Sequence, residues 1–567
     1  MKLDLLTGSR SRILAFGLLA IALIFVGRLF YLQVIQHDYY VSVAADAQQS
    51  RFVIPAERGL IYAKSGDEPV QLVMNQTVYT VFADPETVTE PDEIMQSLRE
   101  IAGGNLRSNA AELLEKTDTR YQILATKLSR VQADKLKERS FTGLGFQAVS
   151  QRVYPEGDLA AHVLGFVNTE GVGSYGIEGA LNEELQGTDG VLQSVTDVSN
   201  VPLTIGNNNI RQPAVDGKNV VLSIDRNIQS KVEQALIAAA ERTGATNVSA
   251  VVMDPATGKV MAMANLPTYT PGEYFLVDDV AQFNNTVITA PYEPGSTIKA
   301  FTMATAVDKN AIKPSDTFVN TDSIRVADRT ITNATKGITG TITFETAMQW
   351  SLNTGFVTIA QRLGNGSEIT ATARDTIYTY FHDKFRLGEP TGVELAGEAA
   401  GTIIAPDQPT GNAVRYSNMA FGQGMEATMM QVASGFTALI NGGSYYTPTI
   451  IDGYIQDGEF NQTTDISPAA TGLINDSTSQ TIKKVLVDAR RAGFPGADRS
   501  GYEVGGKTGT SQVVKNGEYS DSESIASYVG FGGGDRTEYV IMVRVSGENQ
   551  EFQGARDALP IFTDISN

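Results

Sequence analysis

The longest apolar run limits what this chain can become more than any other feature. Ile13 to Ile35 covers 23 positions and contains a single charge, Arg28. As a helix it would rise about 35 Å, at about 1.5 Å per residue, which is enough to cross the hydrocarbon core of a bilayer. Lys2, Arg10 and Arg12 precede it with only Asp4 in opposition, so residues 1–36 sum to +3 and the remaining 531 to −23. Positive flanks stay on the cytoplasmic side, which puts the N-terminus inside and everything after about residue 36 outside. The run is too long for the apolar part of a cleaved leader, and the small-residue string Ala45-Asp-Ala47 lies well beyond it. It is read as an uncleaved, single-pass anchor in the cell membrane. Arg28 sits two-thirds of the way across, where it either snorkels to the outer interface or faces a partner helix.

Composition narrows the chemistry. At 567 residues, 42% hydrophobic and 19% charged, the chain is globular and too long for one core. A net charge of −20 disfavours nucleic acid as a partner. The absence of Cys removes disulfides, thiolate metal sites and cysteine nucleophiles together. Three His, at 37, 162 and 382, leave almost no material for a histidine triad or a multi-histidine metal centre.

Three divisions follow: residues 1–36 as tail and anchor, 37–215 as an N-terminal domain, and 216–567 as a second, larger domain. In the N-terminal domain Gln71 to Phe82 reads as strand, while Pro91 to Ala102 and Asn109 to Leu136 read as helices. A linker is expected at Gly206 to Gly217. Beyond it come a strand at Asn219 to Ile224, a helix at Arg226 to Arg242, and two strands joined by the turn Asp254 to Gly258. Strands at both ends of this region with helices between them indicate an α+β, layered domain.

Three short motifs carry the chemistry. In Pro294-Gly-Ser-Thr-Ile-Lys299, Pro-Gly ends an extended segment and Ser296 opens a helix. Lys299, one turn on, lies on the same face and can take the Ser296 proton if burial depresses its pKa. Ser351-Leu-Asn353 places a hydroxyl and an amide two positions apart on a short loop after a helix-like Thr343 to Trp350. Lys507-Thr-Gly-Thr510 lies in a strand-like run, Tyr502 to Val514, next to a turn at Asn516-Gly517. There Lys507 offers positive charge, Thr508 and Thr510 offer hydroxyls, and Gly509 lets a substrate backbone approach. Singly, each motif also reads as a cap, a polar turn and a protected edge strand. Together, once each and in this order, they form the set known from class A β-lactamases and penicillin-binding proteins, there with Ser-Asp-Asn as the second element.

On these residues the chain resembles a class B penicillin-binding protein, a peptidoglycan D,D-transpeptidase, and most of all the division-specific FtsI branch. Ser351-Leu-Asn353 followed by Thr-Gly-Phe356 is nearer that branch than the elongation one. Glu57-Arg-Gly-Leu-Ile-Tyr62, Arg152-Val-Tyr-Pro155, His162-Val-Leu-Gly165 and Gly176-Ile-Glu-Gly179 resemble its pedestal. Gly422-Gln-Gly424, Asn441-Gly-Gly443 and Ala558-Leu-Pro-Ile-Phe562 resemble its transpeptidase domain. The resemblance implies an elongated pedestal and a serine β-lactamase-like domain with a central antiparallel sheet and helices. It implies Ser296 as nucleophile, Lys299 as base, Ser351 as proton relay, and Asn353 holding Lys299 and the donor peptide. Lys507, Thr508 and Thr510 would bind the terminal carboxylate, and the N–H groups of Ser296 and Thr510 would form the oxyanion hole. It implies no cofactor or metal, stem peptides as substrates, β-lactams as covalent inhibitors, and an FtsW-like membrane glycosyltransferase among division partners. An elongation-type transpeptidase and a catalytically silent or β-lactam-sensing scaffold are the alternatives. A secreted β-lactamase is disfavoured: its Glu-x-x-Leu-Asn string occurs as Glu178 to Asn182, but ahead of Ser296 instead of after Ser351.

Overall fold

The computed structural model describes residues 9–40, 49–195, 210–463, 466–515 and 518–567. Lys2, Asp4, the string Ala45-Asp-Ala47, the start of the expected linker at 206–209 and the turn Asn516-Gly517 lie outside the described residues.

The chain divides into two compact units, Met1–Glu57 with Gly187–Gly217, and Arg58–Gln186 with Lys218–Asn567. The first contains the helix Ser9–Phe30, continued by a wider turn over Tyr31–Ile35. Arg12–Ile35 is long and apolar enough to cross a membrane. The Arg28 guanidinium lies 5.5 Å from the centre of the Tyr31 ring, one turn on. The same unit holds a three-stranded antiparallel sheet of Gln49–Ile54, Gly190–Val195 and Ile210–Gln212.

The second unit is built on two sheets. One has seven strands and takes members from both sides of residue 200. Asn219–Asp225 runs parallel to Ile61–Ser65, which pairs in turn with the long strand Glu68–Ala83. The helix expected over Asn109 to Leu136 is not continuous. It breaks into helices Ala110–Leu114 and Arg130–Lys137 around a strand, Gln122–Leu128, that pairs with Glu68–Ala83. The strand buries Leu124 and Ala125, and Ser129 restarts the helix through a capping box with Gln132. Tertiary pairing thus overrides a helix-favouring composition.

Three pedestal motifs meet at one buried charge cluster. Glu178, fully buried, accepts from Arg58 Nε at 2.7 Å and from Arg152 Nε at 2.6 Å. Asn75 bridges the arginines, taking Arg152 Nη1 at 2.8 Å and donating to the Arg58 carbonyl at 2.5 Å. Asn182 accepts from Arg58 Nη1 at 3.0 Å, so both polar ends of the β-lactamase-like string are occupied in holding Arg58. Burial of such a cluster is tolerable only because the charges are paired and hydrogen-bonded.

The other sheet has five antiparallel strands in the order Val260–Leu266, Asn247–Met253, Tyr539–Ser546, Glu518–Gly533, Glu503–Lys515. Helices Arg226–Thr243 and Leu559–Ser566 pack on one face, and Met429–Ile440 and Asp476–Gly493 on the other, which makes three layers. The motif strand Glu503–Lys515 is at the edge, with one side unpaired within the sheet.

Removing one member of the buried cluster leaves charge without a counterion. Glu178→Ala should destabilise the fold by about 3–5 kcal/mol and lower its melting temperature. The exposed pair Lys218–Glu184 is the control, since Glu184→Ala should cost no more than about 1 kcal/mol. Equal melting shifts by circular dichroism would contradict this account of the cluster.

Candidate active site

The helix Lys299–Asp308 is buried on all sides from Lys299 to Ala306, as befits a helix at the centre of a large domain. A short turn, Gly295–Ile298, leads into it and leaves Ser296 half-buried. The turn packs against the motif strand. Gly295 has φ +57°, and a Cβ there would lie 2.7 Å from the Thr510 carbonyl oxygen, so the approach requires glycine. Gly509 is under the same constraint: a side chain would strike Ser527 Oγ and the Pro294 carbonyl. Two glycines thus bring the Ser296 turn and the Lys507–Thr510 strand backbone to backbone.

The second motif reaches the same place through a helix ending. Helix Phe344–Gln349 closes with Ser351 N–H donating to the Met348 carbonyl at 3.2 Å and Leu352 N–H to the Ala347 carbonyl at 2.9 Å. This is a Schellman ending, in which the residue just past the cap takes left-handed dihedrals and is ordinarily glycine. Here it is Ser351, at φ +54°. Such a conformation costs about 1–3 kcal/mol in a residue with a Cβ, and it persists where the surroundings enforce it. It turns both the Ser351 carbonyl and its hydroxyl toward Lys299. Leu352 is fully buried behind them, and Asn353 starts the next helix.

Lys299 is the meeting point. Its Nζ lies 2.8 Å from the Ser351 carbonyl oxygen, 3.0 Å from Ser351 Oγ and 2.8 Å from Asn353 Oδ1. The orientation of the Asn353 amide is fixed because its Nδ2 donates to the Thr332 carbonyl at 3.0 Å. Two of the three neighbours of Nζ can only accept, so two N–H bonds are assigned. The remaining position faces the Ser351 hydroxyl, and in a neutral amine it is a lone pair. Burial, and after it the charge of Lys507, hold Lys299 well below the ordinary lysine value of 10.5.

Lys507 is also buried, which lowers it to about 7. Its Nζ donates to the Thr508 carbonyl at 3.1 Å and to Thr508 Oγ1 at 3.2 Å. Thr510 is exposed on the strand edge, where its Oγ1 accepts from Gly554 N–H at 3.1 Å. All eight residues singled out from the sequence therefore lie on three adjoining elements around Lys299. Sequence reasoning missed two supports, the Thr332 carbonyl and the Gly554 N–H. A backbone acceptor or donor leaves no residue-type signal to find. The group at the centre can accept a proton from a hydroxyl, and the strand beside it offers a cation and hydroxyls to an anion.

Residues 248–567 match the penicillin binding protein transpeptidase domain, and residues 53–222 the penicillin-binding protein dimerisation domain. The chain is 30% identical over 558 residues to stage V sporulation protein D of Bacillus subtilis, covering 98% of this chain and 84% of that protein. It is 27% identical over 572 residues to the peptidoglycan D,D-transpeptidase FtsI of Escherichia coli, covering 97% and 89%. Among solved structures, penicillin binding protein 2X from Streptococcus thermophilus shares the fold with a TM-score of 0.73 at 22% identity, over 91% of this chain and 79% of that one. Penicillin binding protein 3 from Mycobacterium tuberculosis, complexed with aztreonam, has a TM-score of 0.66 at 26% identity, over 91% and 96%.

The two lysines set opposite pH limbs. Lys299 gains its lone pair as pH rises through its depressed value, so acylation of Ser296 should rise on the acid side. Lys507 loses its charge above about 7, so attraction of an anionic acylating ligand should weaken there. The second-order acylation rate of the free protein should therefore be bell-shaped. Lys507→Arg should remove the descending limb, because a guanidinium stays charged. A descending limb that persists unchanged in the Lys507→Arg chain would contradict the assignment.

Proposed function

The chain belongs to the penicillin-binding protein transpeptidases, and from that premise we propose how its residues cross-link peptidoglycan stem peptides. It is a serine-type D,D-transpeptidase, and the contacts of Lys299 Nζ with Ser351 and Asn353 carry the reading of its site. Ser296 Oγ attacks the carbonyl between the terminal D-Ala residues, forming an ester as its proton passes to Lys299. The amide C–N bond breaks, and the departing amine receives a proton through Ser351. Asn353 orients Lys299 and the donor peptide, while Lys507, Thr508 and Thr510 bind the carboxylate at their strand. The N–H groups of Ser296 and Thr510 stabilise the oxyanion, a role supported by the close approach that Gly295 permits. An amine from a neighbouring stem then opens the ester, and Ser296 regains a proton. β-Lactams acylate the same serine.

The division into 1–36, 37–215 and 216–567 is supported by the two matched families. The apolar helix anchors the chain once, with its N-terminus inside and the transpeptidase domain outside the cytoplasmic membrane. The full-length likeness to FtsI supports septal wall synthesis, with strand polymerisation left to an FtsW-like glycosyltransferase.

Fluorescent penicillin should label the chain covalently. Ser296→Ala should abolish labelling while costing the fold no more than about 1 kcal/mol, the value of a lost cap. Lys299→Ala should be nearly as damaging. Labelling that survived in either chain would remove that residue from its role. Replacing the anchor by an unrelated span of equal length should preserve labelling and membrane attachment but lose recovery of the glycosyltransferase. Unchanged recovery would leave the pedestal as the docking surface.

A further inference from the structure

A groove of 950 Å³ is lined in part by residues of three elements that carry or support the motifs. Thr330 and Ile331 belong to the strand whose Thr332 carbonyl takes Asn353 Nδ2. Gly424 follows Gly422, whose carbonyl accepts the Gly295 N–H at 3.0 Å. Val514 and Tyr519 are paired across the hairpin that carries Lys507 to Thr510. The groove is therefore linked to all three motifs through the elements that carry or support them.

Glu293, three residues before Ser296, also lines the groove and is only 9% exposed. Its Oε1 accepts from Gly424 N–H at 2.7 Å and from the Tyr519 hydroxyl at 3.0 Å. Its Oε2 is buried and has no hydrogen-bond partner among the described residues. The cation that acts on it, Arg415, turns Nη1 instead to the Gly424 carbonyl at 2.9 Å. Glu426, a second carboxylate along the groove, adds to the negative potential. A buried carboxylate with one oxygen unmatched calls for a donor, and preferably a charged one.

We propose that Glu293 is the recognition group for the acceptor stem peptide, binding its primary ammonium within this groove. The assignment rests on the transpeptidase reading, which requires a second substrate that arrives carrying a primary amine. Burial raises the Glu293 carboxyl above its ordinary value, and an arriving ammonium favours the charged form again. In the proposed order of events the donor acylates Ser296 first, and the acceptor enters the groove once the ester has formed.

The test separates the two half-reactions in the full-length, detergent-solubilised chain. Ser296 is acylated with a thioester analogue of D-Ala-D-Ala, and the ester is partitioned between water and an amine, either D-Ala or the small neutral nucleophile hydroxylamine. Glu293→Gln keeps an acceptor oxygen for Gly424 and Tyr519 and removes the charge. The ratio of aminolysis to hydrolysis with D-Ala should fall about tenfold or more, the ratio with hydroxylamine should stay as in the wild type, and labelling by fluorescent penicillin should persist. The ratio is read on whatever ester forms, so weaker labelling does not obscure it. An unchanged D-Ala ratio overturns the proposal, and so does an equal loss with both nucleophiles, which marks a structural residue. Absence of any ester in the wild-type chain overturns the transpeptidase reading, and this assignment with it.

Discussion

The buried amine of Lys299, held between the Ser351 carbonyl and the Asn353 amide, is the interaction on which the rest of the site depends. A lysine on a helix that is buried on all sides is itself cut off from water, so its charged form is penalised from the start. The penalty is what makes the residue useful: it favours a lone pair over a fourth bond. Two obligate acceptors then fix where the remaining N–H bonds point and leave the lone pair toward the Ser351 hydroxyl. A second lysine nearby, also buried, pushes in the same direction. Neither effect requires a histidine, and a chain with three of them is under no handicap.

Much of this was legible in the sequence, because motif residues are side chains with chemistry attached. Ser296, Lys299, Ser351, Asn353 and the Lys507–Thr510 run could be placed on a helix start, a loop and a strand from spacing and turn residues alone. What brings them together was not legible. Ser351 holds the left-handed position of a helix ending that usually takes glycine, and a serine gives no sign of that. The edge position of the Glu503–Lys515 strand depends on pairing with segments far away in the chain. Gln122–Leu128 reads as helix in the sequence for a related reason, since its strand character comes from the neighbour Glu68–Ala83 and not from its own composition.

The pedestal is the clearest case of a motif whose meaning changes with the fold. Glu178 and Asn182 spell a string that in another context activates water, yet here both hold Arg58. Arg58, Arg152 and Glu178 come from three separate stretches, and their pairing buries charge that none could bury alone. The seven-stranded sheet then runs from these stretches into Asn219–Asp225, the first strand after the expected boundary.

The central claim is that Lys299 is a neutral amine before substrate arrives. Lysine-selective Nζ labelling with ¹⁵N, followed by a pH titration, tests it directly, with the Lys299→Arg chain identifying the resonance that disappears. The account predicts that this amine titrates well below the ordinary lysine value of 10.5. A Lys299 signal that keeps its proton up to that value would contradict it.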